Sequence, residues 1–282
     1  MPKLEVYQSL WSMELRRPDG MEWALERKFE MCAEAGYDGL CYDTGTDDAD
    51  AVRRLKPLYR QHGLKALFTV FPRSAEGLAP MLALAAEFEA PFVTVIGQVM
   101  PLRVEEAVPV VRAWLRQSAE IGMPILFETH RYCITNDMFF TLLLMEAVPE
   151  LRLCADLSHY VVDREFMLPL TEAEQAQIRA LLDRADSFQG RVASREQIQL
   201  QLGFPQHKKW FDLFLGWWDY GFRQWRRRNA PDAALRFLCE LGPPEYAITG
   251  ADGYELSDRW AEALLIKERV RALWERLETG AG

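Results

Sequence analysis

Residues 151–161 read LRLCADLSHYV. The run opens as a buried β-strand, with Leu151, Leu153, Cys154 and Ala155 apolar, and then delivers Asp156 and, three residues on, His159. A carboxylate at the end of a core strand is costly unless something pairs with it. The rest of the chain has to supply that partner.

Working outward, short apolar runs alternate with longer helical patterns. Strands are expected near 4–10, 39–44, 65–70, 92–97, 124–130, 151–159, 188–194 and 236–242. Between them, helices are expected over 21–36, 48–63, 76–89, 103–121, 136–147, 171–185, 208–227 and 257–277. The first two end at Gly36 and Gly63, a common helix stop. Alternating strands and helices favour a parallel sheet, and eight units favour closure into a (β/α)8 TIM barrel. No G-x-G-x-x-G follows the first strand, which leaves an open dinucleotide-binding sheet without support. Nothing divides the chain, so residues 1–282 read as a single domain.

The seventh unit is long: 51 residues separate Gln189 from Glu240. Its extended aromatic-rich segment, 195–230, contains KKWFDLFLGWWDYGFRQW at 208–225. That segment reads as a helix packed on the barrel, as a lid, or as a self-association face through which the chain forms a homodimer.

The chain has 282 residues and a net charge of −9. The one basic cluster, RQWRRR at 223–228, reads as a solvated helix end, so a nucleic-acid partner is not expected. The five cysteines form no C-x-x-C pair, which suits a reducing cytoplasm. No signal-peptide pattern opens the sequence, and no apolar run is long enough for a membrane span.

In a barrel of this kind the chemistry sits at the C-terminal ends of the strands. Four consecutive strands end in side chains with oxygen donors: Glu128, Asp156, Gln189 and Glu240. Three carboxylates at one mouth repel one another unless protonated or neutralised, and a divalent cation neutralises them directly. Oxygen donors favour Mn²⁺ or Mg²⁺ over Co²⁺ or Zn²⁺. The competing reading is an ion-pair network drawing on Arg131, Arg152, Arg191 or Arg195.

These residues carry a resemblance. FETHR (127–131), ADLSHY (155–160), Gln189-x-Arg191-Val192 and ELGPPEY (240–246) are similar to the xylose-isomerase-like TIM-barrel superfamily, the sugar phosphate isomerase/epimerase group, over nearly the whole chain. The resemblance implies one divalent metal held by a Glu, an Asp, a His and a Glu from strands five to eight. Glu128, Asp156 and Glu240 match three of them, and Gln189 stands where the His would fall. It further implies that Glu128 and Glu240 face each other as the acid–base pair of an isomerase or epimerase working through an enediolate, and that His159 of the Asp-x-x-His pattern binds substrate.

Arg191, His130 and Trp11 join His159 as substrate-binding candidates, with Trp11 placed to stack on a sugar ring. For His130 the plainer reading is a structural histidine, and for Trp11 core packing. Asp43 and Gln98 sit at or past strand ends, where they bond hydroxyls or cap helices. His207 reads as a surface residue and His62 as a helix C-terminal charge. The expected partner is a small neutral sugar or sugar derivative. Two alternatives share this site: a metal-assisted lyase or hydrolase on oxidised glycosides or cyclitols, and a degenerate barrel that binds without turnover. A His-rich three-zinc endonuclease is disfavoured by four histidines and an acidic chain.

Overall fold

The computed structural model describes residues 2–45 and 48–279. Eight parallel strands close in sequence order: β1 (Lys3–Ser9), β2 (Gly39–Asp43), β3 (Lys65–Val70), β4 (Val93–Val95), β5 (Ile125–Glu128), β6 (Leu153–Ala155), β7 (Ala185–Gly190) and β8 (Ala234–Cys239). The closing pair runs from Lys3 opposite Ala234 to Gln8 opposite Cys239. This is the (β/α)8 barrel expected from the alternation. No helix among the described residues is long and apolar enough to cross a membrane.

Side chains alternate across each strand, so every second residue points into the barrel. Tyr7, Cys41, Leu67, Phe92, Leu126, Cys154 and Leu238 form a separate apolar layer there. Gly39 makes room for Tyr7: a Cβ at Gly39 would lie 2.3 Å from both the Tyr7 ring and the Lys65 carbonyl oxygen. Two residues further along each strand the layer turns polar, with Ser9, Asp43, Thr69, Thr94, Glu128, Asp156, Gln189 and Glu240. The apolar plug seals the barrel below and the polar ring forms its mouth.

The larger apolar core lies outside the sheet, between strands and helices. The aromatic segment becomes the helix Lys208–Arg228, whose Phe214, Trp217, Trp218, Phe222 and Trp225 are buried. Phe222 packs on Phe188 of β7 at 5.3 Å between ring centroids, and Trp218 packs edge-on to Phe237 of β8 at 5.1 Å. Of the three readings of this segment, core packing is what these side chains do. Arg226, Arg227 and Arg228 of the basic cluster occupy its last turn.

Three local departures have clear causes. The expected helix 48–63 is two helices, Ala49–Arg53 and Lys56–His62, with a proline at the start of the second. β6 stops at Ala155 rather than at 159, because Asp156 Oδ1 accepts from the Ser158 amide (2.9 Å) and hydroxyl (2.5 Å) and turns the chain. His159 therefore lies on a short helix, Ser158–Asp163, rather than on a strand end.

Candidate functional site

The mouth gathers Glu128, Asp156, Gln189 and Glu240 as the strand ends implied, all buried. The partner that Asp156 needed is Arg191, two residues beyond Gln189. Its Nε donates to Asp156 Oδ2 at 3.1 Å and its Nη2 donates to Glu240 Oε2 at 2.9 Å. Its guanidinium is held over the Tyr246 ring at 4.6 Å and near Trp11 at 5.7 Å. Arg191 is only 1 % exposed, and nearby carboxylates push its pKa up against the opposing effect of burial. Its Nη1 is buried with no hydrogen-bond partner. Of the four arginines close in sequence, Arg152 pairs with Asp186, Arg195 with Glu165 and Glu196, and Arg131 stands near His159.

Gln189 meets the cluster through its amide nitrogen, which donates to Glu128 Oε2 at 2.8 Å, while its Oε1 is buried without a partner. The oxygen expected to ligate is thus the atom of this side chain that no protein group engages. Burial, then the charges of Glu240 and Asp156, push the Glu128 carboxyl well above the usual range. Burial also raises Glu240 and Asp156, with Arg191 opposing in both.

A cavity of about 460 Å³ opens over this layer, lined among others by Trp11, Asp43, Glu128, His130, Arg191, Glu240 and Tyr246. That size lies within the range of small-molecule sites. Trp11 enters from the short helix Trp11–Met13 after β1 and meets Tyr246 edge-on at 5.3 Å. Gly242 permits the approach, since a Cβ there would lie 2.7 Å from both rings. Gln199 pins the same loop with a pair of hydrogen bonds to Gly242.

His130 reaches the cavity wall. Its Nδ1 bonds the Arg131 carbonyl oxygen, which can only accept, so Nδ1 carries the proton and Nε2 keeps a lone pair. Burial lowers its pKa to about 4, with the charges of Arg191 and Arg131 adding to the effect. His159 does not contact the cavity directly. It is fully buried behind His130, with ring centroids 4.0 Å apart, and burial lowers its pKa well below the ordinary value. His207 sits in the turn Pro205–His207, bonded to the Gln201 carbonyl at 2.8 Å. Gln98 accepts from Arg73 Nε at 3.0 Å.

Asp43 is the acidic residue whose place in this cluster was not read from the sequence. It stands two residues beyond Cys41 of the apolar layer, as Glu128 stands beyond Leu126, and that parity was the available signal. Its Oδ1 is buried without a partner. Burial and the charge of Glu240 push its pKa up to about 8, against a hydrogen bond to Thr69 and the charge of Arg191. The folded state therefore holds the Asp43 proton more tightly than the unfolded chain. The stabilisation this gives is complete below about pH 4 and is lost as the pH rises through about 8. We expect Asp43→Asn to melt close to wild type at pH 4 and clearly above it at pH 8.5, with chelator present throughout. Thermal unfolding at both pH values checks this, and an equal difference at the two would show that Asp43 titrates normally.

Two triads of donors lie close enough to share one ion: Glu128, Asp156 and Glu240, and Glu128, His130 and His159, the ligand atoms of each lying within 4.8 Å of one another. Ionised, the three carboxylates exceed the single guanidinium by two charges, and Gln189 Oε1 lacks a donor. The donor chemistry around Glu128, which belongs to both triads, fits a divalent cation.

Fold and mouth together define a (β/α)8 barrel with a buried carboxylate cluster at the C-terminal ends of its strands. Solved structures agree on the fold. The chain is similar to a xylose isomerase-like TIM barrel protein from Mycobacterium smegmatis in complex with magnesium (TM-score 0.63, 13% identity, 97% of this chain and 99% of that one). It is equally similar to a D-allulose 3-epimerase from Methylomonas sp. (TM-score 0.63, 15% identity, 97% and 99%). A third likeness is to an L-ribulose 3-epimerase (TM-score 0.62, 15% identity, 100% and 99%). No family model matches the sequence, and no curated protein matches it.

Proposed function

We propose that this chain is an isomerase or epimerase that moves a proton at the carbon beside a carbonyl in a sugar or sugar-like substrate. One observation carries the reading: Glu128 and Glu240, from strands five and eight, both open into one cavity, and burial raises the pKa of both. Raised carboxyl pKa values bring an acid and a base toward neutral pH, where proton transfer in both directions is efficient. The sugar epimerases among the solved structures support the same chemistry.

In this reading one carboxyl removes the proton and the other returns it. Arg191 Nη1, buried and without an acceptor, offers a hydrogen bond to a substrate oxygen on which charge develops. Trp11 and Tyr246 give the cavity an aromatic wall suited to the apolar face of a sugar. A divalent cation held at Glu128 would acidify the carbon-bound proton by drawing on the adjacent carbonyl. The five free cysteines are all buried, which fits the reducing environment of a cytoplasm.

The test is incubation with Mn²⁺ and a panel of ketoses, D-allulose and L-ribulose included, in D₂O. We expect deuterium at the carbon next to the carbonyl, read by NMR. Absence of exchange across the panel would count against the proposal, and loss of water from the product would move the assignment to a lyase.

A further inference from the structure

We propose that the metal site of this chain is Glu128, His130 and His159, on the β5–β6 side of the mouth, and that the carboxylates of Asp156 and Glu240 do not ligate the ion. This rests on the reading of Glu128 as part of a metal-assisted site.

Arg191 pre-empts the oxygen-only triad. Asp156 accepts from Arg191 at Oδ2 and from two donors of Ser158 at Oδ1, so three bonds already hold its carboxylate in place. Glu240 gives Oε2 to the same guanidinium. A guanidinium does not lose its proton in a protein. Two carboxylates and two aromatic rings hold this one in place. A dication placed between Asp156 and Glu240 would press directly against that charge.

Neither imidazole of the second triad is bonded to Arg191, whose Nε and Nη2 go to Asp156 and Glu240. His130 donates Nδ1–H to the Arg131 carbonyl, the arrangement that orients a ligating imidazole and leaves Nε2 for an ion. The loop carrying it is braced, since Cys133 Sγ donates to the His130 carbonyl and Thr135 Oγ1 bonds the Glu128 carbonyl. His159 Nε2 is buried with no hydrogen-bond partner, and Asp156 Oδ2 lies 3.6 Å from it. Ligation through His159 Nε2 puts the ring proton on Nδ1, so Arg131, whose Nη1 lies 3.5 Å from Nδ1, must turn away. Arg131 is thus an opponent of the ion.

Two imidazoles and one carboxylate select a borderline ion such as Co²⁺ or Zn²⁺ over Mg²⁺. This departs from the hard-ion preference that an oxygen-only set carries.

Co²⁺ titration of the full chain, followed by visible ligand-field absorption and by calorimetry, tests the assignment. Wild type should bind one Co²⁺ per chain. His130→Ala and His159→Gln should each weaken it about 100-fold, a loss on the scale of a ligand or its immediate support. Glu240→Gln should change it less than about threefold, and Arg131→Ala should tighten it. His130 lies at the cavity wall, so His130→Ala keeps the test alive if His159→Gln unfolds; circular dichroism establishes folding for each variant. The proposal is overturned if wild type binds no Co²⁺, or if Glu240→Gln loses as much affinity as His130→Ala. Deuterium exchange without Co²⁺ binding would sink this assignment alone. Co²⁺ binding as described without exchange on any ketose would sink the functional reading alone.

Discussion

Arg191→Met should lower the melting temperature by about 10 °C at pH 7. Removing one member of a buried charge network strands the others, at a cost of about 3–5 kcal/mol, and in a domain of this size each kcal/mol moves the midpoint by about 2–4 °C. Here the stranded groups are Asp156 and Glu240, both buried and both held by this guanidinium. The deficit has a pH signature. Without Arg191 the two carboxyls hold their protons in the folded state to still higher pH, so the variant's stability is retained near pH 4 and falls as the pH rises. The gap to wild type should be small at pH 4 and full at pH 7. Excess Mn²⁺ should recover part of it, because the freed carboxylates then lack a cation. Differential scanning calorimetry with chelator and with Mn²⁺ measures both effects. A midpoint within about 2 °C of wild type at pH 7 would mean that Arg191 does not carry the charge balance of the mouth.

Glu128→Gln should remove proton exchange while leaving the fold intact or firmer. Loss of a positioned acid–base group costs about 10²- to 10⁴-fold in rate. The stability change has the opposite sign. Glu128 is buried beside two other carboxyls, and Gln is close in shape to its protonated form. Gln189 Nε2, which donates to Glu128 Oε2 at 2.8 Å, finds an amide oxygen in the same place. The measurement pairs the deuterium exchange rate on the best ketose with the melting temperature. An exchange rate within about threefold of wild type would take Glu128 out of the chemistry. A large fall in melting temperature would mean that its charged form is needed for folding.

Much of the architecture was legible before any coordinates. The run LRLCADLSH announces a core strand with a polar end, and the same pattern recurs at FETH and CELG. Period-two alternation explains why: once Leu126, Cys154 and Leu238 plug the barrel, the residue two positions on has to face the mouth. The helix boundaries were close for the same kind of reason, since Gly63 takes a left-handed conformation at the end of Lys56–His62 and Asp137 caps Met138–Ala147. Glu128, Asp156, Gln189 and Glu240 were therefore found on local grounds.

Local sequence determined which side chains reach the mouth, because strand parity is a property of neighbours in the chain. Only the tertiary structure decided how they pair. That Arg191, rather than Arg131, Arg152 or Arg195, bridges Asp156 and Glu240 depends on the spacing of three strands around a closed barrel. That Gln189 turns its nitrogen toward Glu128, that Asp43 shares the field of Glu240, and that His159 stacks behind His130 are likewise contacts across strands. Charge balance in a buried site is set by all the groups within a few ångströms, and no stretch of sequence contains them together.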